Sequence, residues 1–350
     1  MKYQLKNCSW DLTQKCNLQC RHCSEAEQEK HKDLTRDEAL DLVSQIIEAG
    51  TERVIFTGGE PFLREDWEEL ASALTRANVE VTAITNGTLL DEDTVRRIKQ
   101  AGIGSIGISI DGIEETHDLI RGEGCFRLAM QAFGYLKKYG IYCSAITTVM
   151  KENLRELPEI KAELTANCVD AWQIQPGIPI GRLKQNAGSM IEPEDMEKLL
   201  DFCCEAADGS ILIYPADSIG YYSRKETALR GFLVPDGKTP VWKGCKAGIS
   251  SMTIRNDGNV VGASMCIPNK CEGNIKERRL KEIWEDEDVF AWNRKFDCSR
   301  LKGFCGECRY KELCRGGCMA MRLWTGGSIT SENKYCLYRN AVMRKRMERC

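Results

Sequence analysis

The chain lacks what would send it out of the cell or into a membrane. Its first ten residues, MKYQLKNCSW, hold no apolar signal-peptide core. No run of eighteen apolar residues occurs, so no membrane span is expected. It also lacks an excess of one charge. The 49 Lys and Arg against 52 Asp and Glu leave a net charge of −3, which gives no broad nucleic-acid footprint. The one basic run, Arg344 to Arg349, reads as a solvated helix end. There is no internal repeat and no low-complexity tract, which sets aside repeat architectures. At 350 residues the chain can hold one large domain and a small one.

What it has in excess is cysteine, 19 residues. In a secreted chain that would mean disulfides. With no signal core, the expected location is a reducing cytoplasm, and thiols at this density point to metals or clusters. Three of them stand in Cys16-Asn-Leu-Gln-Cys20-Arg-His-Cys23, just after a short strand-like alternation, and the next, Cys125, is far downstream. A cubane [4Fe–4S] cluster takes four thiolates. A loop that offers three leaves one iron open to bind something else, which suits chemistry better than electron transfer alone. The plainer alternatives are a zinc loop or three unrelated thiols, although zinc favours C-x2-C pairs closed by a fourth ligand.

Strand-like and helix-like segments alternate from about Ser9 to Ile213. Strands read at Ser9–Thr13, Arg53–Phe56, Glu80–Ile84, Ser105–Ile110, Tyr142–Val149 and Ala171–Gln175. Thr35-Arg-Asp-Glu38 is a capping box leading into Ala39, Leu42, Val43, Ile46 and Ile47 on one helical face. Asp91 caps a second helix, and Phe126–Tyr139, Leu154–Leu164 and Pro193–Ala207 read as three more. Six βα units of about thirty residues each predict an α/β fold, a partial (βα)6 TIM-like barrel over residues 1–209. A bridge at 210–241 and a small cysteine-rich domain at 242–350 would follow. Ligands of such sheets bind at the C-terminal strand ends, where the motifs fall.

The cysteine loop, with Thr57-Gly58-Gly59-Glu60-Pro61 ending the next strand, resembles the signature of the radical S-adenosylmethionine (SAM) superfamily. The resemblance implies that Cys16, Cys20 and Cys23 hold a [4Fe–4S] cluster. It also implies that the turn at Gly58, Gly59 and Glu60 hydrogen-bonds the SAM amino group. Glycines there let the backbone come close to the ligand. Thr85-Asn86-Gly87, Ser109-Ile-Asp111-Gly112 and His117-Asp118-Leu-Ile-Arg121-Gly122 match the superfamily in position and order, although each alone reads as a polar loop. By that match Asn86 lines the SAM pocket, and Ser109 and Asp111 are candidates for the ribose hydroxyls. Arg121 pairs with the methionine carboxylate, and His22 lies near adenine.

Cys305-x2-Cys308-x5-Cys314-x3-Cys318, then Cys336, with Cys245 upstream, resembles the SPASM extension, which carries auxiliary [4Fe–4S] clusters. A zinc ribbon is the alternative on ligand chemistry alone. The resemblance implies one cluster on Cys305, Cys308, Cys314 and Cys336, and a second on Cys318 and Cys245 with other upstream cysteines. Here the chain departs from the family, which has a cysteine where this sequence has Ala263. Cys266 and Cys271 follow shortly after and are expected to replace it, with Cys298 a further candidate. Gly273-Asn274-Ile275 and Leu280–Trp284 match the hairpin and helix of the same module, where plain packing is the expected role. The remaining cysteines, Cys8, Cys125, Cys143, Cys168, Cys203, Cys204 and Cys350, read as structural thiols.

The resemblance implies an enzyme that cleaves SAM reductively to a 5′-deoxyadenosyl radical and modifies its substrate oxidatively. A ribosomally made peptide is the first expectation, modified by a crosslink, a thioether or a dehydrogenation. Tetrapyrrole side-chain modification is the alternative. A non-catalytic iron–sulfur carrier is remote, because it would need no Gly58-Gly59-Glu60-Pro61. A flavodoxin- or ferredoxin-type electron donor is expected. Because the barrel begins near residue 1, a separate leader-peptide recognition protein is also expected for a peptide substrate. No catalytic acid or base is assigned; Asp217 and Glu226 lie in the bridge.

Overall fold

In the computed structural model, residues 3–27, 31–231, 242–262 and 270–348 are described. Seven parallel strands follow one another in chain order: β1 (Asn7–Thr13), β2 (Arg53–Gly58), β3 (Glu80–Thr85), β4 (Ser105–Ser109), β5 (Tyr142–Val149), β6 (Ala171–Pro176) and β7 (Leu212–Pro215). Helices connect them, as parallel crossovers require. The sheet runs on past β1 into β8 (Ser251–Ile254), which is parallel to it. The antiparallel strands β9 (Asn259–Val261) and β10 (Gly273–Asn274) complete that edge. The order β10-β9-β8-β1-β2-β3-β4-β5-β6-β7 is open at both ends, a partial barrel.

The six strands read from the sequence are all present. β7 is additional and lies within the segment read as a bridge. Its four residues are too few for an alternation to stand out, and pairing with β6 is what makes it a strand. The capping box forms as read: Thr35 Oγ1 accepts from the Glu38 N–H at 3.3 Å, and the Glu38 carboxylate accepts from the Thr35 N–H at 2.8 Å. Helix Arg36–Glu48 buries Ala39, Leu42, Val43 and Ile46 against the sheet, whereas Ile47 is 38% exposed, one step beyond the edge of that face. Trp10 on β1 pairs with Phe56 on β2, and their fully buried rings meet edge to face at 5.8 Å.

The cysteine-rich segment is anchored to the barrel by a buried polar clamp. Gln45 accepts from the Leu280 N–H at 2.8 Å and donates to the Ile275 carbonyl at 3.3 Å. A buried amide with both ends satisfied fixes register at little cost. Among the described residues no helix is long and apolar enough to cross a membrane.

Candidate functional site

The C-terminal ends of the parallel strands open into one cavity of about 1540 Å³. Its wall includes Cys16, Cys20 and Cys23 from the loop after β1, Gly58 and Gly59 from the end of β2, Asn86 after β3, Ser109 at the end of β4, and His22 and Arg121. Cys245 and Cys318 reach the same cavity from the cysteine-rich C-terminal segment, with Asp217 beside them. Motifs hundreds of residues apart in sequence therefore share one space.

The cysteine loop is held from below and from the side. Arg182 donates from Nη1 to the Cys20 carbonyl at 3.0 Å and from its backbone N–H to the Cys23 carbonyl at 3.0 Å. Gly181, at φ +53°, lies so close that a Cβ on it would meet the Cys23 carbonyl oxygen at 2.1 Å, which only glycine allows. Sequence reasoning missed this pair; its signal was the Gly181-Arg182 dipeptide that follows the proline- and glycine-rich residues after β6. Two sulfurs accept N–H donors: Cys16 Sγ from the Leu18 amide at 3.5 Å, and Cys20 Sγ from Arg121 Nη1 at 3.8 Å. Burial raises the Cys20 thiol to about 11, against the pull of Arg121, and Cys16 and Cys23 lie near enough to raise it further. Three neighbouring thiols around one arginine cation fit the thiolates of a [4Fe–4S] cluster.

Two of the residues read as SAM contacts stand behind the cavity wall. The Glu60 carboxylate is fully buried and accepts from Thr85 Oγ1 at 2.8 Å and from the Asn86 N–H at 2.9 Å, tying the end of β2 to the end of β3. Burial pushes it up to about 7, with the Asn86 N–H and the Thr85 hydroxyl opposing. Asp111, also fully buried, accepts from Arg121 Nε at 2.6 Å, His22 Nε2 at 2.9 Å and the Thr148 N–H at 2.7 Å. Burial alone would raise its pKa, but Arg121 and His22 outweigh that and hold the carboxyl well below the usual carboxylate range. Asp111 therefore works as an anchor that aims Arg121 and His22 at the cavity.

His117 completes this network, which the sequence reading did not assign. Its Nδ1 accepts the Asp111 N–H at 3.2 Å, and burial, with Arg121 beside it, pushes it down to about 4, so it is neutral. Asn153 donates to the carbonyls of Asp111 and Thr148, both at 2.9 Å. Only the fold brings these residues to the end of β4.

Cys305, Cys308, Cys314 and Cys336 surround a second, small cavity with Tyr221, Tyr222 and Tyr338. Three of the four sulfurs accept a backbone N–H: Cys305 from Asn333 at 3.3 Å, Cys308 from Tyr310 at 3.4 Å, and Cys336 from Arg339 at 3.5 Å; beside Cys314 the Gly317 N–H donates to the Cys314 carbonyl at 3.2 Å. Four thiols around one space, three of them facing an amide, fit a four-thiolate cluster, whose sulfurs are stabilised by such donors. Cys318 lies near Cys245, and burial is the main cause that raises its thiol to about 11. Cys271 is elsewhere: it is exposed beside β10, and its thiol contacts the Gly273 carbonyl at 3.1 Å and Asn259 Oδ1 at 3.3 Å. Cys298 packs with Leu301 and Cys305. Cys266 and Ala263 lie outside the described residues. Asp217 faces the large cavity, whereas Glu226 is buried against Arg230, 2.9 Å away. Among the described residues no three His, Cys, Asp or Glu side chains are grouped to hold a single metal ion.

The family model of the radical SAM superfamily matches residues 10–164. The chain is 33% identical over 344 residues to an AdoMet-dependent heme synthase of Methanosarcina barkeri, covering 95% of this chain and 96% of that one. It is 27% identical to the mycofactocin maturase MftC of Mycolicibacterium smegmatis, over 94% of this chain and 82% of the relative. Among solved structures, native anSMEcpe with bound AdoMet and the Kp18Cys peptide shares the fold at a TM-score of 0.75, with 21% identity and coverage of 95% and 94%.

Proposed function

The chain belongs to the radical SAM superfamily, and we propose that its substrate is a tetrapyrrole with carboxylate side chains, one of which it modifies oxidatively. The observation that carries this reading is the likeness to an AdoMet-dependent heme synthase, which runs through nearly the whole of both chains and so spans the barrel and the cysteine-rich domain alike. Three exposed lysines on the cavity wall, Lys15, Lys32 and Lys246, supply the cationic character that an anionic substrate calls for.

When bound, a cluster on Cys16, Cys20 and Cys23 together with SAM supplies a 5′-deoxyadenosyl radical that abstracts hydrogen from an unactivated carbon. The protein's own residues bind, aim and shield. Gly58 and Gly59 lie on the cavity wall, and their lack of a Cβ lets the cysteine loop seat against that turn. Asn86 and Ser109 offer hydrogen-bonding groups at adjacent strand ends. Arg121, held by Asp111, presents a buried cation to an anionic group such as the SAM carboxylate. The shared cavity leads from that pocket to Cys245 and Cys318, so a substrate between them faces SAM on one side and an auxiliary cluster on the other. Auxiliary clusters on the Cys305, Cys308, Cys314 and Cys336 quartet, and on Cys245 and Cys318 with Cys266, would accept an electron. That suits dehydrogenation or oxidative decarboxylation. The first cluster needs an electron donor of the flavodoxin or ferredoxin kind.

A peptide substrate is the second reading, favoured by the likeness to mycofactocin maturase; a separate leader-recognition protein would accompany it. The test is anaerobic turnover with SAM, a reductant and iron coproporphyrin III. The tetrapyrrole reading expects 5′-deoxyadenosine release well above the substrate-free rate, and a porphyrin product that has lost hydrogen, with or without carbon dioxide. No stimulation by porphyrins, with stimulation by a precursor peptide encoded beside the gene, would replace it with the second reading.

A further inference from the structure

Helix Met319–Gly326 begins directly after Cys318 and carries Arg322 into the centre of the cysteine-rich domain. The residue is 0% exposed, and among the described residues none of Nε, Nη1 and Nη2 has a hydrogen-bond partner. A guanidinium does not give up its proton in a protein, so this is a permanent charge taken out of water. An unpaired buried charge is among the costliest states a side chain can occupy, and native interiors answer such charges with a partner.

Among the described residues no carboxylate answers this one. The face of Phe296 lies 5.3 Å from Cζ, and a cation–π contact offsets only part of the lost hydration. The guanidinium is pressed against the loop between Cys314 and Cys318: a Cβ on Gly316 would lie 2.6 Å from Nη1. Burial pushes Arg322 below the ordinary arginine value, and what opposes it is Cys305, Cys318, Tyr221 and Cys314. Cys305 and Cys314 line the small cavity of the quartet, and Cys318 lines the large cavity beside Cys245. The charge therefore stands among thiols of both groups.

A cubane held by four thiolates is a net anion in its working oxidation states, and reduction adds a further negative charge. A fixed cation close by favours the reduced form, because cluster potentials follow net local charge and burial. We propose that Arg322 is the shared counter-ion of the auxiliary sites, standing between the Cys305–Cys336 quartet and the Cys245–Cys318 pair and raising the reduction potential of the quartet's cluster. This rests on the reading that the quartet holds a cluster. It makes Arg322 a tuning residue: it touches no substrate and acts through the clusters, easing their acceptance of an electron from the substrate side.

The test uses full-length protein reconstituted anaerobically, in a Cys16→Ala, Cys20→Ala, Cys23→Ala background so that only auxiliary clusters report. Adding Cys305→Ala and Cys308→Ala establishes the premise by lowering iron by about four atoms; unchanged iron would refute the cluster reading itself. With the quartet intact, Arg322→Gln is expected to keep its iron. Its EPR-monitored reduction potential should fall by the equivalent of about a tenfold loss in the reduction equilibrium constant, about 59 mV for one electron. Arg322→Lys, which keeps the charge, should stay near the parent value. Full iron with an unchanged potential in Arg322→Gln overturns the proposal. If the glutamine variant does not assemble the cluster, the lysine variant decides. Assembly with lysine alone supports a charge requirement, and failure of both shows that the side chain acts by shape and overturns the proposal.

Discussion

Gly59 stands so close to Lys15 that a Cβ on it would lie 2.1 Å from the Lys15 carbonyl oxygen. The Gly59 N–H donates to the Thr13 carbonyl and the Glu60 N–H to that of Lys15, both at 2.8 Å. The loop that carries Cys16 is thus seated on the glycine turn, and the two motifs behave as one part. Gly58 strengthens the case, since it adopts φ +120°, a region that other residues rarely enter.

Replacing Gly59 with alanine is therefore expected to unseat the cysteine loop while the distant quartet stays intact. Reconstituted Gly59→Ala should lose about four irons, one cubane's worth, and SAM binding with them. Iron assays and equilibrium dialysis check this. Full iron and normal SAM affinity would mean that the loop yields easily at Lys15.

Arg121 and Asp111 form a buried pair at 2.6 Å. Removing one partner of such a pair strands the other charge, at about 3–5 kcal/mol. Arg121→Ala should lose stability on that scale in denaturant unfolding of the anaerobic protein. Adding Asp111→Asn should recover part of the loss, because the stranded charge is then gone. SAM affinity should fall about ten- to hundredfold, the scale of a charge-assisted hydrogen bond. Strictly additive losses in the double variant would show that the two residues act separately.

Glu60 makes stability depend on pH. Burial raises its folded pKa from the ordinary 4.5 to about 7, so the fold favours the protonated carboxyl. That contribution is complete below about pH 4.5 and disappears as the pH rises through about 7, in total about 3 kcal/mol. Unfolding free energies from pH 5 to pH 8 should decline on this account. The slope should flatten in Glu60→Gln, whatever that variant's baseline. Parallel curves for the two proteins would assign the pH dependence to other groups.

The thiol of Cys271 is engaged at the sheet edge by Gly273 and Asn259, whereas Cys245 and Cys318 face the cavity. Cys271→Ala is accordingly expected to retain all iron, and Cys266→Ala to lose iron from the site that holds Cys318. Iron loss in the Cys271 variant would reverse this assignment.

Most of the barrel was legible because its signals are local. The Thr35–Glu38 capping box, the apolar face through Leu42 and Ile46, and the β-branched run of β5 each follow from periodicity within a few residues, and all form as read. β7 was not legible. Four residues carry too little pattern, and its partner, β6, lies more than thirty residues earlier in the chain.

At the site, residue type and spacing made the cysteine loop and the glycine turn legible, because a cluster demands several thiolates and a close backbone demands glycine, whereas the grouping of the four-thiol quartet came from the resemblance to the SPASM extension. Orientation was a different matter. Nothing local says that Glu60 turns back to Thr85 and Asn86, that Asp111 is spent on Arg121 and His22, or that His117 caps the same network. Nor does spacing place Arg322, buried and without a hydrogen-bond partner among the described residues, between two groups of thiols. Those outcomes depend on which strand ends the parallel sheet sets side by side, and so on contacts across long stretches of chain. There the cost of an unsatisfied buried charge, which a linear sequence does not display, chooses each polar side chain's partner.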